Sequence, residues 1–402
     1  MNFFLQDRDI VIVGQQPWDV EIGSNCKNLA EEFSRHNRVL YINSPLDSLT
    51  LLRSRYEAKV QKRLRVVKKR EPGLVKIKHN LWNYYPDKII LSINWISITF
   101  LFNFLNRKNN TAFANSIIKA IKELNFRDYI LFNDNDIMRS FYLKELLKPK
   151  VSVYYSRDYV IAVDYWKRHG EKLEPKLIAK SDICVANSLY LRNYCFQYNK
   201  QSFYVGQGCD LKSFTNFSNT FNPEDITGIK KPVIGYIGAL HGLRLSISLL
   251  KFIATKKPEW SIVLVGPEDN SFEKSDLHAF NNVHFLGSKP IEQLPAYINS
   301  FDVCINPQAV NLLTIGNYPR KVDEYLAMGK PVVATKTEAM TLFENSAYLA
   351  SDDNNFVELI EKALLENDVQ RQADRKNFAA SHTWENNAKQ IYAAINSFEE
   401  GK

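Results

Sequence analysis

The stretch NYPRKVDEYLAMGKPVVA, from Asn317 to Ala334, carries the strongest structural signal in the chain. Pro319 suits the first turn of a helix, where its missing N–H leaves no hydrogen bond unmade, and Gly329 suits the C-terminal end of that helix. The β-branched residues near the end of the stretch predict a short, buried parallel strand. The order of loop, helix, glycine turn and strand therefore predicts one unit of a parallel α/β fold.

The charged residues of this stretch predict an anion site at the start of the helix. Arg320 and Lys321 place two cations beside the free backbone N–H groups of a helix N-terminus, an arrangement that favours an anionic ligand. Glu324 follows one helical turn later, and its carboxylate can accept hydrogen bonds from two hydroxyls. A diphosphate next to a ribose matches this layout.

The same stretch resembles the donor-binding signature P-x-K-x-x-E-Y-L-A-x-G-K-P-V-V of glycosyltransferases with the GT-B fold, especially those of family 4. The matching positions are Pro319, Lys321, Glu324, Tyr325, Leu326, Ala327, Gly329, Lys330, Pro331, Val332 and Val333. The resemblance extends over most of the chain and is closest to enzymes of the teichuronic acid biosynthesis type. It implies an α/β protein with two doubly wound Rossmann-like domains facing a central cleft. It also implies a nucleotide-sugar donor as substrate, no cofactor and no bound metal.

Composition favours a two-domain protein of a reducing compartment. The chain has 402 residues, of which 45% are hydrophobic, enough for two ordinary domains. Its five cysteines are scattered without a C-x-x-C pair, which argues against a zinc site or a disulfide framework and for a cytoplasmic location. No signal peptide is expected, because the chain runs from Asp7 directly into an apolar strand.

The net charge of +8 is unevenly distributed and points to an anionic partner of the first half. Residues 1–200 contain 33 Lys and Arg against 20 Asp and Glu, or +13, and residues 201–402 contain 19 against 24, or −5. Eleven cations lie between Arg53 and Lys78, and such clusters attract anionic lipid. The alternative is a solvated basic helix and loop.

The longest apolar stretch, residues 89–105, follows this basic cluster. Its seventeen residues with polar interruptions are short for a membrane-spanning helix, so we expect a buried or interfacial helix. Together the two segments suggest a peripheral face on the inner side of the cell membrane, whereas the alternative for the apolar stretch is an ordinary core helix.

Short apolar strands alternate with amphipathic segments throughout, which predicts parallel sheets covered by helices on both faces. We expect an N-terminal acceptor-side domain at 1–215, a linker at 216–231, a C-terminal nucleotide-sugar domain at 232–383 and, as the resemblance implies, a helix at 384–402 that crosses back to the first domain. Ligands of such sheets bind beyond the carboxyl ends of the strands. The predicted strands are 9–15, 38–43, 75–78, 129–133, 151–155, 183–187, 202–206, 233–237, 261–265, 283–286, 303–306, 331–334 and 348–349.

The resemblance assigns donor-binding roles in the second half. The strand, glycine turn and helix at 235–244 would face the donor phosphates, with Gly238 allowing close approach and Arg244 supplying a cation. Ala239 occupies a position where family members often carry arginine. Backbone groups near Gly266 and Ser288, which follow the next two strands, would hold the base.

Around the signature itself, the resemblance assigns Tyr318 and Pro319 to the donor loop, Lys321 and Arg320 to the diphosphate, and Glu324 to the ribose. The first of two glutamates that many family 4 enzymes carry, eight positions earlier, is replaced here by Gly316.

The first half supplies the remaining candidates. Gly14 and Gln15 follow the first strand, where the family places a loop that faces the donor sugar, and Trp18 either stacks on an acceptor sugar or covers the sheet edge. Asp158 follows a later strand on the same predicted side. Its carboxylate is our candidate for the general base of an acceptor hydroxyl, and the alternative is that it pairs with Arg157 or caps a turn.

No metal site is predicted. The seven histidines form no H-x-x-x-H or H-E-x-x-H pair, and the D-x-D spacing of Asp134 and Asp136 is expected to be a helix cap. In the resembling enzymes, helix dipoles and cations neutralise the leaving diphosphate.

Sequence and resemblance together predict a hexosyltransferase that moves a sugar from a UDP or GDP sugar to a hydroxyl of a glycan or lipid-linked acceptor in cell-surface polysaccharide synthesis. One alternative is a nucleotide-sugar 2-epimerase of the same architecture, which would show paired acids and histidines around the cleft. Another is a non-catalytic membrane-binding module. Nucleic acid is not expected as a partner. Sites for single-stranded nucleic acid usually interleave aromatic residues with the cations, and Tyr56 is the sole aromatic residue of the basic cluster.

Overall fold

A computed structural model describes residues 5–19, 24–217 and 223–401. The chain divides into two compact units, the first formed by Met1–Gly206 with Asn387–Lys402 and the second by Gln207–Asn386. Each unit is built around a largely parallel sheet with helices on both faces.

The strands occur throughout the described chain. They are β1 Asp9–Gly14, β2 Arg38–Ile42, β3 Leu46–Asp47, β4 Leu74–Lys78, β5 Leu81–Tyr84, β6 Ile89–Ile90, β7 Ile130–Asp134, β8 Val151–Ser156, β9 Ile183–Ala186, β10 Ser202–Tyr204, β11 Val233–Ile237, β12 Ser261–Val265, β13 Val283–Gly287, β14 Val303–Asn306, β15 Val332–Thr335 and β16 Tyr348–Ala350. All thirteen predicted strands are confirmed, with ends within two residues of those observed.

Helices fill most of the connections between strands. They are α1 Asn25–Phe33, α2 Ser48–Arg53, α3 Ala58–Val67, α4 Thr99–Glu123, α5 Leu143–Leu147, α6 Asp164–Lys180, α7 Leu189–Tyr198, α8 Lys212–Thr215, α9 Glu224–Thr227, α10 Ile247–Lys256, α11 Asn270–Glu273, α12 Leu294–Ser300, α13 Arg320–Ala327, α14 Asp353–Leu365, α15 Val369–Ala380 and α16 Trp384–Glu400. Short 3-10 turns lie at Val160–Ala162, Asp276–Ala279, Ile291–Gln293 and Glu338–Phe343.

The sheet of the first unit has the strand order β10-β9-β8-β7-β1-β2-β5-β4. Neighbours are parallel except at the edge, where β4 pairs antiparallel with β5. The central strand β1 is buried along its whole length, as expected when helices cover both faces of a parallel sheet. Its residues Val11 and Val13 pack with Phe113 and Ile117 of α4. The carboxyl ends of β1, β7 and β8 therefore meet at one edge.

The second unit has a fully parallel sheet in the order β13-β12-β11-β14-β15-β16. Alternate residues of β12 enter different cores: Ile262 and Leu264 pack in one, Val263 and Val265 in the other. Both faces of the sheet are thus covered, and the free carboxyl edge is the remaining place for a ligand.

The signature helix α13 begins and ends where its sequence predicts. Pro319 is its N-cap residue and Arg320 its first helical residue. Gly329 has a φ of +76°, the left-handed conformation that ends a helix most readily at glycine. Strand β15 follows directly, so the predicted loop, helix, turn and strand are confirmed.

The prediction of a helix over residues 89–105 is wrong for residues 89–98 and confirmed for residues 99–105. The stretch forms β6, a loop, and the first turns of α4, which begins at Thr99. The side chain of Asn109 accepts a hydrogen bond from Leu91 N (2.9 Å) and donates one to Leu91 O (2.8 Å). These bonds hold the backbone after β6 in a non-helical conformation.

The boundaries between the units differ from those expected at 215 and 384. Residues from Gln207 onward belong to the second unit, where Cys209 N donates to His382 O (2.9 Å). Asn387 belongs to the first unit, where its side chain donates to the carbonyls of Val205 and Gly206 (2.8 Å each). The expected linker contains α9, and its residues 218–222 lie outside the described part of the chain.

Candidate functional site in the second unit

A cavity of about 320 Å³ lies at the carboxyl ends of β11 and β14 and at the start of α13. The parallel sheet explains this location, because its strand ends open onto one edge. The cavity brings together most of the predicted donor-binding residues: Gly238, Arg244, Tyr318, Pro319, Arg320, Lys321 and Glu324.

Three cations line this cavity. Arg244 and Arg320 are exposed, and neither forms an ion pair within the described residues. The ammonium of Lys321 donates a hydrogen bond to the Tyr236 hydroxyl and lies 4.1 Å from the centre of that ring. A Cβ atom on Gly238, which has a φ of +138°, would lie 2.8 Å from Lys321 Nζ. Glycine therefore leaves room for the ammonium, and the wall as a whole is suited to an anion.

Glu324 adds a single carboxylate to the same wall. Its side chain is half-buried, and burial raises the pKa of the carboxyl, while the charges of Arg320 and Lys321 partly offset the rise. Among the residues that the structure describes, none donates a hydrogen bond to it. A desolvated acceptor of this kind needs a donor, which a ligand hydroxyl would supply.

The two loop residues predicted to hold the base differ in placement. Gly266 has a φ of +151°, and a Cβ atom there would lie 2.0 Å from the Gly238 carbonyl oxygen, so glycine permits the close approach of the β11 and β12 loops. Ser288 is exposed just after β13 and is not brought to the cavity wall. Its role stays a prediction.

Asn306 is a cavity residue that the sequence did not single out. It ends β14, is 3% exposed, and its amide nitrogen has no hydrogen-bond partner in the described chain. An unpaired buried donor is costly, which makes this amide a candidate ligand contact. The available signal was a polar residue at the carboxyl end of a buried strand.

Asp323, next to Glu324 in sequence, organises a buried network behind the cavity. It is fully buried; its Oδ1 lies 2.6 Å from His382 Nδ1, and its Oδ2 accepts hydrogen bonds from the Tyr318 hydroxyl (2.8 Å) and the Cys209 thiol (3.2 Å). Burial raises the pKa of the Cys209 thiol, which keeps it protonated as a donor. The network fixes Tyr318 immediately before the first turn of α13.

In the first unit, Asp158 pairs with Arg157, which is the alternative considered from the sequence. Arg157 donates to Asp158 Oδ2 (2.7 Å) and to Asp134 Oδ1 (2.8 Å). Asp134 ends β7 and pairs with Arg157, so the expectation of a helix cap is wrong for Asp134, whereas Asp136 Oδ1 does accept a hydrogen bond from Arg139 N (3.1 Å) at the start of the following turn. Burial raises the pKa of the Asp134 carboxyl against the effect of Arg157. Asp158 remains 43% exposed, with Oδ1 free of hydrogen bonds from the described residues.

The other first-unit candidates lie near this group at the carboxyl edge of their sheet. A Cβ atom on Gly14 would lie 3.1 Å from Asp134 Cβ. The Gln15 side chain donates to Asn135 O (2.6 Å), and the Trp18 ring packs edge-on against Tyr41 with centroids 5.2 Å apart. These internal contacts favour the interpretation that Trp18 covers the sheet edge.

The described residues contain neither a cluster of metal-ligating side chains nor a helix suited to span a membrane. No group of three or more His, Cys, Asp and Glu side chains there is arranged to hold a metal ion. No helix in those ranges combines the length and apolarity needed to cross a bilayer.

Comparison with solved structures defines the fold class as that of the GT-B glycosyltransferases. Sucrose-phosphate synthase from Thermosynechococcus elongatus is similar with a TM-score of 0.67 and 14% identity over 99% of this chain and 100% of that one. Anabaena HepE in complex with UDP has a TM-score of 0.66 and 15% identity over 97% and 100%. An α,α-trehalose-phosphate synthase (UDP-forming) from Burkholderia vietnamiensis has a TM-score of 0.68 and 11% identity over 99% and 100%.

Comparison of sequences identifies the second unit more closely. Residues 231–366 match the family model of group 1 glycosyl transferases, so this unit contains a group 1 glycosyltransferase domain. A Bacillus subtilis protein named as a teichuronic acid biosynthesis glycosyltransferase is 28% identical over 189 residues, or 45% of this chain and 47% of that protein. The match thus spans about half the length of this curated relative.

Proposed function

We propose that this protein is a glycosyltransferase that transfers a hexose from a UDP or GDP sugar to a hydroxyl of a glycan or lipid-linked acceptor. The observation that carries the proposal is the cavity in which the Glu324 carboxylate, which accepts no hydrogen bond from the described residues, lies beside Arg244, Arg320 and Lys321. The similarity to a teichuronic acid biosynthesis protein supports a role in cell-surface polysaccharide synthesis. The UDP bound to HepE supports a uridine donor.

The donor side of the reaction follows from the charges of the cavity. As the bond between sugar and diphosphate breaks, negative charge grows on the leaving phosphate. Lys321, Arg244 and Arg320, together with the first N–H groups of α13, would stabilise that charge without a metal. Glu324 would accept hydrogen bonds from both ribose hydroxyls, and the Asn306 amide would donate to an oxygen of the donor.

For the acceptor side, the proposal assigns Asp158 as the base. Arg157 holds its Oδ2, which leaves Oδ1 to accept the proton of the attacking hydroxyl if the configuration is inverted. If the configuration is retained, Asp158 orients the sugar instead.

The proposal also includes a cytoplasmic location at the inner membrane face. The five buried free cysteines support the reducing, cytoplasmic part of that location.

The 2-epimerase alternative finds less support in the cavity. Such an enzyme needs paired acids and histidines around its substrate, whereas the lining of this cavity includes Glu324 as its acid and no histidine among the described residues. Sugar transfer also agrees better with the group 1 glycosyltransferase domain of the second unit.

Thermal unfolding with UDP, GDP, CDP and ADP sugars tests the proposal, followed by a transfer assay with the donor that stabilises most. Nucleotide at about 100 times its Kd should add about 2.7 kcal/mol to the free energy of unfolding of the binding unit. Glu324→Ala should abolish the shift. The control variant Glu358→Ala removes an exposed acid on α14, outside the cavity, and should retain the shift. A shift that survives Glu324→Ala would show that the ribose contact is misassigned, and the absence of a shift with every nucleotide would overturn the proposed function.

A further inference from the structure

One face of the first unit exposes an unusual number of large apolar side chains. On the loop after β6 and the first turns of α4, Trp95 is 73% and Phe100 82% exposed. Leu91, Ile98 and Phe104 are also exposed to solvent. Isolated apolar residues are ordinary on a surface, but a contiguous group of this kind marks an interaction site.

Helix α2 extends the same face. Ser92 N donates to Ser48 Oγ (3.0 Å), and Leu49 N donates to Ser92 Oγ (2.9 Å), so these bonds join the start of α2 to the loop. On and just after α2, Leu52 is 80% and Tyr56 91% exposed. The apolar face is defined here by nine side chains: Leu49, Leu52, Tyr56, Leu91, Trp95, Ile98, Phe100, Leu101 and Phe104.

The backbone beneath the apolar face is held by hydrogen bonds. Asn109 pairs with both backbone groups of Leu91, and Arg168 donates to the carbonyl oxygen of Trp95 (2.9 Å). The indole N–H of Trp95 donates to Ser92 O (2.9 Å). The one polar atom of this ring is therefore satisfied internally, and the rest of the ring faces outward as an apolar surface.

Unneutralised cations border the apolar face. Lys88, Arg107 and Lys108 line a shallow cavity around Phe104, and Lys108 Nζ lies 4.4 Å from the centre of that ring. Arg53 follows Leu52 at the end of α2. Within residues 5–19, 24–217 and 223–401, none of these four cations forms an ion pair.

We propose that the apolar face docks on an anionic lipid bilayer, with Trp95 and Phe100 entering the interface and the bordering cations contacting headgroups. Aromatic side chains at the acyl boundary combined with cations at headgroup depth are the chemistry of interfacial membrane attachment. A second copy of this chain would meet the same positive border, which disfavours self-association through this face. The inference rests on the membrane attachment within the proposed function but not on donor binding.

The proposed membrane contact lies on the apolar face and not on α3, which carries four of the eleven cations of the basic cluster. In α3, Arg63 pairs with Asp19 and Arg65 with Glu71. These internal ion pairs reduce the charge that α3 can offer to lipid, whereas the cations around the apolar face keep theirs.

Co-sedimentation of the full chain with vesicles tests the inference. We expect binding to vesicles of phosphatidylcholine with phosphatidylglycerol, and much weaker binding to phosphatidylcholine alone. The double variant Trp95→Ser with Phe100→Ser should bind the anionic vesicles roughly tenfold more weakly, because burial of an aromatic side chain is worth more than a tenfold change in partitioning. The matched control is Leu365→Ser with Val369→Ser, which removes two side chains of the second unit that are 86% and 82% exposed and should bind like the unchanged protein.

Three outcomes would overturn the inference: no binding of the unchanged protein to anionic vesicles, equal binding by the Trp95 and Phe100 double variant, or a dimer in solution that this variant abolishes. Both double variants replace side chains already in water, so folding should persist, and the thermal transition of each variant checks it. The nucleotide shift is measured separately without lipid, so a failure of donor binding and a failure of membrane docking are distinguishable.

Discussion

At the scale of single residues, Glu324 unites two properties that otherwise conflict. Its carboxyl is desolvated enough for its pKa to be raised, yet it lies beside two cations and accepts no hydrogen bond within the described chain. A protein gains nothing in stability from such an acceptor. The arrangement is understandable when a ligand supplies the missing donors, as two ribose hydroxyls would.

We therefore predict that donor affinity depends on pH through Glu324. The ionised carboxylate accepts two hydrogen bonds, whereas the protonated carboxyl has to use one oxygen as a donor. Because the pKa of Glu324 is raised, affinity for UDP-glucose should fall as the pH decreases through that value, earlier than for an ordinary glutamate. Titration calorimetry over a pH series measures this.

The matched variant is Glu324→Gln, which keeps the shape and cannot ionise. It should bind UDP-glucose about tenfold more weakly near neutral pH, since one charge-assisted hydrogen bond is lost. Its affinity should show little of the decrease at low pH. An identical pH dependence in both proteins would assign the effect to another group.

At the scale of elements, α13 contributes to both the cavity and the core behind it, because its neighbouring residues Asp323 and Glu324 point to different sides of the helix. Glu324 lines the cavity, while Asp323 reaches behind it to His382, Tyr318 and Cys209. Since Tyr318 immediately precedes the capping residue Pro319, the buried network determines where the first turn of α13 starts. Cavity shape and core packing are thus coupled through one helix.

Asp323→Asn should weaken both stability and donor binding. Loss of the buried charge removes the charge-assisted part of the contacts to His382 and Tyr318, at a cost of about 1–3 kcal/mol in the free energy of unfolding. Because the donor loop is then less well fixed, we expect UDP affinity to fall about tenfold at a temperature where the protein remains folded, a change of about 1.4 kcal/mol. Denaturant unfolding and calorimetry measure the two effects.

The control for this prediction is Ile360→Val on α14, a fully buried position of the same unit. It should cost about 0.5–1.5 kcal/mol of stability and leave UDP affinity unchanged. If Asp323→Asn likewise lowers stability alone, the network is structural and does not position the donor loop.

Most elements were predictable from the sequence, because buried parallel strands appear as continuous apolar runs. In the signature stretch at 317–334, Pro319, Gly329 and the apolar run after Gly329 also mark the start of the helix, its end and the following strand. Strand β5, which lies between β2 and the edge strand β4, was missed because it is a short segment of only four residues. Residues 89–98 were misassigned because apolar composition does not distinguish a helix from a loop that is held by hydrogen bonds to Asn109. In the Asp323 network, Asp323 contacts Cys209, which lies 114 positions earlier in the chain, and no local pattern reveals such a contact.

At the scale of the whole molecule, the stability of each unit should respond to a different condition: nucleotide concentration for the second unit and pH for the first. A nucleotide that binds the cavity acts on the second unit. The first unit contains Glu174, which is 1% exposed and accepts hydrogen bonds from the hydroxyls of Tyr154 (2.6 Å) and Tyr194 (3.3 Å). Burial raises the pKa of this carboxyl from 4.5 to about 7.

The raised pKa of Glu174 makes the free energy of unfolding of the first unit depend on pH. Between 4.5 and about 7 the folded unit binds more protons at Glu174 than the unfolded chain does, so the free energy of unfolding decreases as the pH rises through this window. The stabilising contribution is complete below 4.5 and lost above about 7. The difference corresponds to roughly 3 kcal/mol.

Glu174→Gln should therefore stabilise the first unit by roughly 3 kcal/mol above this window and have little effect below it. Glutamine cannot ionise, yet its side-chain oxygen still accepts from Tyr154, so packing is preserved. Scanning calorimetry with and without UDP separates the transitions, because UDP should raise the transition of the second unit and the substitution that of the first. If the substitution raises the transition that UDP raises, or leaves the pH dependence of the other transition unchanged, Glu174 is not the titrating group of the first unit.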